Sequence, residues 1–106
     1  MVSYPERRMR GQNTSAAAPL IQMIDALRHT TNRHLNITYS GTVTAASFDP
    51  TAFNLAPQPE IGSTVIQLAA NEIRIFFVTT INANGLCNYN GSTPGILTPQ
   101  TIAYHS

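Results

Sequence analysis

The sequence predicts an α+β domain in which one amphipathic helix packs on a small, mostly antiparallel sheet. Three observations carry that expectation. Leu20, Met23, Ile24, Leu27, Thr31 and Leu35 follow the i, i+3, i+4, i+7 rhythm of a single helical face. From Asn36 onward the pattern shifts to β-branched and aromatic residues. The chain has 106 residues, room for one core and not two.

Taken in order, residues 1–14 are polar and basic and read as a flexible arm, with a single domain over 15–106. The helix is expected over about 16–34. Pro19 suits its first turn, where no N–H is required, and Ser15 is a capping residue. Asp25 stands three and four residues before Arg28 and His29, a spacing that supports an ion pair. A strand follows over 36–44, with Gly41 marking a bulge or turn. Pro50, Pro57, Pro59 and Gly62 make 45–62 a long irregular connection. Residues 64–68 and 73–81 read as a hairpin, with Ile73, Ile75, Phe77, Thr79 and Ile81 on one face. Asn84-Gly85, Asn90-Gly91 and Pro94-Gly95 make 82–99 a second loop, and 101–104 is a short closing strand. Leu20, Met23, Ile24 and Leu27 are expected to pack on Ile73, Ile75 and Phe77.

Only 10% of the chain is charged, against a typical quarter, while 42% is apolar. Thr, Asn, Ser and Gln supply the missing polarity; all six basic residues are Arg, and there is no Lys and no Trp. Net charge is only +1, so charge-driven disorder is excluded. No run approaches the ~18 apolar residues of a bilayer span. Such a composition points to an extracytoplasmic or assembled protein, since cytosolic domains reach solubility with more charge. No apolar stretch follows Arg7, Arg8 and Arg10, so the start is not a signal peptide. Two readings remain, a cytosolic protein or, in preference, the soluble part of a protein whose signal or membrane anchor lies upstream, with those arginines as the membrane-proximal basic segment. Three arginines fall short of the four to eight basic residues of a lipid or nucleic-acid site, so no nucleic-acid partner is expected.

Tests for chemistry return no catalytic, cofactor-binding or metal-ligating residue. His29 and His34 are five apart, about 140° around a helix, where a helical metal pair needs i, i+4. One cysteine, Cys87, provides neither a disulfide framework nor a multi-cysteine zinc site, and no histidine spacing marks it as a nucleophile. Asn13, Asn36 and Asn90 match the glycosylation pattern, as chance allows in a chain this rich in Asn, Ser and Thr. The acids are scattered, and there is neither a phosphate-cradling glycine loop nor a Gly-X-Ser-X-Gly elbow.

The run from Leu20 through Arg28 to Leu35 leads into Tyr39-Ser40-Gly41-Thr42-Val43-Thr44. A proline-rich loop ending in Glu60-Ile61-Gly62 follows, and then Asn71-Glu72-Ile73-Arg74-Ile75-Phe76-Phe77-Val78. Over residues 18–80 this order is similar to the soluble domain of PilM-type proteins of type IVb and conjugative thin pili. The resemblance implies a pseudopilin-like layout of membrane helix, basic juncture, long helix and small sheet. It implies a non-catalytic extracytoplasmic component of a pilus, conjugation or secretion apparatus, docking to other envelope or pilus-assembly proteins and reaching the membrane only through an upstream anchor.

Two other functions compete with that one. The chain reads alternatively as a minor-pilin-like or adhesin-type module that recognises a host protein or glycan through its two long loops. A third reading is a small hydrolase whose carboxylates, Glu60 and Glu72 among them, converge only in three dimensions. For the docking function, the expected interface lies on two sheet edges: Ile37, Thr38 and Tyr39 on one, and Thr101, Ile102 and Tyr104 on the other.

Overall fold

The computed structural model describes residues 20–28 and 33–106. The basic arm with Arg7, Arg8 and Arg10, together with Pro19, His29 and Thr31, lies outside the described residues. The rest is a two-layer β-sandwich. In chain order its strands are β1 (Met23–Arg28), β2 (His34–Tyr39), β3 (Phe53–Ala56), β4 (Gly62–Ala69), β5 (Glu72–Phe77), β6 (Gly85–Tyr89) and β7 (Gln100–Tyr104). One sheet has the order β1-β2-β5-β4 and the other β3-β6-β7, and neighbouring strands within each sheet are antiparallel.

The expected α+β class is therefore corrected to all-β among the described residues: 23–28 and 34–39, which fall within the predicted helix or at its end, are strands. The helical rhythm has a physical source. The pairing of β1 with β2 shifts register between Met23 and Asp25, so one extra residue is accommodated there. Met23 and Ala26 consequently both face the core, three residues apart, and a bulged strand imitates helical spacing. Leu20, Ile24 and Leu27, which the helix would have buried, are exposed.

The alternating residues of β5 behave as their period dictates. Ile73, Ile75 and Phe77 are buried, opposite Leu35 and Ile37 of β2 on one side and Val65 of β4 on the other. The β4–β5 turn is only Ala70-Asn71. β5 stops at Phe77, and Val78 is exposed. The two segments read as loops each contain a strand of the second sheet, β3 and β6. Phe53 and Leu55 point inward from β3, as do Cys87 and Tyr89 from β6.

At one end of the core, Phe48 from the β2–β3 connection packs its ring against Tyr39, Phe53 and Tyr89, with centroids 5.4, 5.9 and 5.4 Å away. Phe53 and Tyr89 are closer still, at 4.3 Å. These are offset and edge-on contacts, the geometry favoured by the ring quadrupole. Two short 3₁₀ turns, Ala45–Ser47 and Pro50–Ala52, carry this connection past β4. Gly62 permits that passage, because a Cβ there would lie 2.7 Å from the Ile75 side chain and against the Pro50 carbonyl.

Candidate docking surfaces

Three surfaces are built by this frame: the closed side between β1 and β7, the loop end around Tyr89, and the outer side of β4.

The closed side is stitched by parallel contacts between the two sheets. The Ile21 N–H donates to the Gly95 carbonyl, and the Leu97 N–H donates to the Ile21 carbonyl, both at 2.9 Å. The Met23 N–H donates to Gln100 Oε1 at 2.8 Å. At the far end, the Arg28 N–H donates to the His105 carbonyl at 2.6 Å, and the His105 N–H to the Ala26 carbonyl at 3.0 Å. Arg28 turns inward; its guanidinium donates to Ser106 Oγ and to the Ile81 carbonyl. His105 Nε2 lies 2.8 Å from Asp25 Oδ1 on the surface. The hydrogen bond to Asp25, followed by one to the Ser106 carbonyl, raises the His105 pKa.

At the loop end, the β2–β3 and β6–β7 connections meet over one hydroxyl. The Asp49 N–H donates to Tyr89 Oη at 3.0 Å, and Thr93 Oγ1 donates to the Ser47 carbonyl at 3.0 Å. Thr93 has then given its proton, so the 2.8 Å contact between Tyr89 Oη and Thr93 Oγ1 is donated by tyrosine. The Asp49 carboxylate accepts from the Thr51 N–H and hydroxyl and caps the second 3₁₀ turn. Both loops are thus held to the end of β6, presenting Thr44, Ala46, Thr51, Asn90, Ser92 and Pro94 to solvent.

β4 forms the third surface. It is eight residues long, carries no charge and no proline, and is exposed over most of its length. Ile66 and Leu68 are 38% and 37% exposed.

The sequence-predicted sites map onto this frame unevenly. Ile37 and Tyr39 are fully buried, and β2 has β1 on one side and β5 on the other, so this segment is an interior strand and not a sheet edge. Thr38 sits half-buried on the outer face between Asp25 and Glu72. Thr101 is exposed, Ile102 half-buried and Tyr104 buried. β7 does border its sheet, but its outer side faces β1. Glu60 and Glu72 stand at opposite ends of the β4–β5 ladder, which pairs Gly62 with Phe77 and Ala69 with Glu72. The strand between those ends, Glu72 to Phe77, is roughly 17 Å long, so the ladder does not bring the two residues together. Cys87 is enclosed, and burial pushes its thiol up to about 12, away from nucleophilic character at neutral pH. No trio of His, Cys, Asp or Glu side chains is gathered among the described residues, and their surface holds no cavity.

The outer side of β4 was missed by sequence reasoning. The signal was present in Gly62-Ser63-Thr64-Val65-Ile66-Gln67-Leu68-Ala69, an uncharged β-prone run without proline, which is how an unguarded edge reads.

Lettered A to G, the strands form sheets A-B-E-D and C-F-G, the arrangement of the constant-type immunoglobulin sandwich. The chain departs from antibody domains in its centre: Cys87 on strand F has no cysteine partner, and there is no tryptophan. Among solved structures, the chain is similar in fold to the N-terminal part of the bacterial S-layer protein SbsC, with a TM-score of 0.61 at 8% identity over 81% of this chain. The likeness spans 24% of that structure's chain. No family model and no curated protein matches.

Proposed function

We propose that this domain is a non-catalytic, extracytoplasmic assembly module that works by docking to other proteins of a bacterial cell-surface structure. The observation that carries the reading is the outer side of β4: a long, uncharged, exposed strand margin whose residues 63–68, among the described residues, make no backbone–backbone bond outside the ladder with β5. A margin of that kind offers a row of backbone donors and acceptors to an extended partner segment. The low charge agrees with a surface meant to be covered. The fold likeness to part of an S-layer protein, a cell-surface component, supports the extracytoplasmic setting. The choice of a type IVb pilus, conjugation or secretion apparatus rests on the sequence resemblance, whose helical segment is here strands β1 and β2.

A second reading has its own observation. The loops joined through Tyr89 make a braced, polar platform at the end of the sandwich where immunoglobulin variable domains carry their binding loops. That platform suits an adhesin-type module for a host protein or glycan.

Photo-crosslinking in cells separates the two. A crosslinking residue at Thr64 is expected to capture a protein partner, whether another copy of this chain or an envelope protein encoded alongside it, while one at Ser92 captures none. Capture from Ser92 alone, or binding to a glycan array that depends on the loop platform, transfers the function to the loops. No capture from either position refutes docking.

A further inference from the structure

Four strands border the two sheets: β1 and β4 in one, β3 and β7 in the other. β1 and β7 pack side by side, held by backbone bonds from Ile21 to Gly95 and Leu97 and from Ala26 and Arg28 to His105, which flank β7, and by the Met23 N–H on the Gln100 side chain. β3 is short, and its outer side is taken by the chain that follows it: the Leu55 N–H donates to the Glu60 carbonyl, and Asn54 bridges Ile61. β4 differs. Among the described residues, no backbone group of 63–68 bonds outside the ladder with β5. The 3₁₀ turns pack beside β4, and the Gln67 side chain binds them through the Val43 carbonyl and the Ala45 N–H.

The chemistry of the strand selects its occupant. Where a strand pairs antiparallel with its own copy across a two-fold axis, every charge meets a like charge near the axis. β4 has none to meet. Residues opposite one another point to the same face, so the axis must pass through a residue and not between two. Ile66 is the central choice on the outer face. It lies midway in the stretch, and its register partner Arg74 places it outward while Val65, opposite buried Ile75, faces inward. Arg74 is drawn away from the margin, donating from Nε to Asn36 Oδ1 on β2 at 2.9 Å. Three strand spacings, about 14 Å, would then separate it from its mate, more than a Debye length at physiological salt.

We infer that the outer side of β4 pairs antiparallel with the same strand of a second copy, about a two-fold axis at Ile66, joining two four-stranded sheets into one of eight. This rests on the docking function above and names its partner.

The test uses the chain as it is, in sedimentation and thiol-exchange measurements. Wild type is expected to dimerise reversibly with concentration. Ile66→Cys should trap the dimer as a disulfide in a glutathione buffer, at least tenfold more than Leu86→Cys, an equally exposed position on β6. Ile66→Lys should abolish the dimer while the melt of the monomer stays near wild type. A chain that sediments as monomer at all concentrations, or equal trapping at Ile66 and Leu86, overturns the inference. So does a dimer indifferent to Ile66→Lys. If the chain is monomeric yet Ile66→Lys abolishes capture of envelope proteins in cells, β4 docks to another protein and only self-pairing fails.

Discussion

Two buried tyrosines give the sharpest check on the polar bookkeeping of this core. Tyr89 and Tyr39 are both fully buried, and both rings belong to the Phe48 cluster. Their hydroxyls differ. Tyr89 Oη accepts from the Asp49 N–H and donates to Thr93, whereas Tyr39 Oη has no hydrogen-bond partner among the described residues. Removing each hydroxyl as Tyr→Phe leaves the ring packing in place and isolates that difference. In Tyr89→Phe, the Asp49 N–H and one Thr93 lone pair lose their partner, which costs about 1–3 kcal/mol. For a domain of this size, ~2 kcal/mol lowers the melting temperature by roughly 8–16 °C. In Tyr39→Phe, no partner is orphaned and a desolvated hydroxyl is relieved, so the expected change is zero or a small gain. Thermal and urea unfolding of the two variants, read against the parent, supply the comparison. Equal losses in both, or no loss in Tyr89→Phe, would refute the assignment of the Tyr89 hydroxyl as the brace between the loops.

Phe77, 3% exposed at the end of β5, should lose about 3–5 kcal/mol on truncation to Ala, read by urea unfolding. Cys87 should resist alkylation in the native chain at pH 8 and react fully once unfolded, a contrast visible by mass spectrometry. The contact of His105 with Asp25 is pH-dependent. The histidine pKa is raised above its ordinary 6.5, so the contribution is complete below 6.5 and fades as pH climbs through the higher folded value. An NMR titration should place that midpoint above 6.5, and Asp25→Asn should return it towards the ordinary value.

The parts of the fold legible in the sequence are those where one period runs uninterrupted. β5 is such a case, because Ile73, Ile75 and Phe77 alternate cleanly; its partner β4, which shifts register between Gly62 and Thr64 and between Gln67 and Ala69, is tied to it by a short turn. The closing strand is another. β1 was illegible because its bulge puts Met23 and Ala26 on one face at a spacing that belongs to helices. β3 and β6 were hidden by their neighbours. Phe53-Asn54-Leu55-Ala56 lies between Pro50 and Pro57, and Gly85-Leu86-Cys87-Asn88-Tyr89 is bounded by turn-forming asparagines and glycines. Their inward residues, Phe53 with Leu55 and Cys87 with Tyr89, nevertheless alternate. Short alternating pieces between frequent turn signals are the mark of a sandwich. Placing Ile37–Tyr39 at an edge failed for the same reason: without β1 as a strand, nothing was left to cover β2.

The stitching of β1 to β7 also decides how the domain bears load. The contact at Ile21 and Ile96 and the contact at Leu27 and His105 are both parallel. A pull entering through residue 20 and leaving through residue 106 therefore drags the two segments past one another, along their common axis. Bonds at both ends of that seam are strained together, and none can be peeled open in turn. Rupture needs several to break at once, which raises the barrier and slows forced unfolding, a process governed by rate and not by equilibrium. Force applied across β4 would act at right angles to its ladder with β5 and open it one pair at a time. The same small sandwich is stiff along its length and soft across its free side.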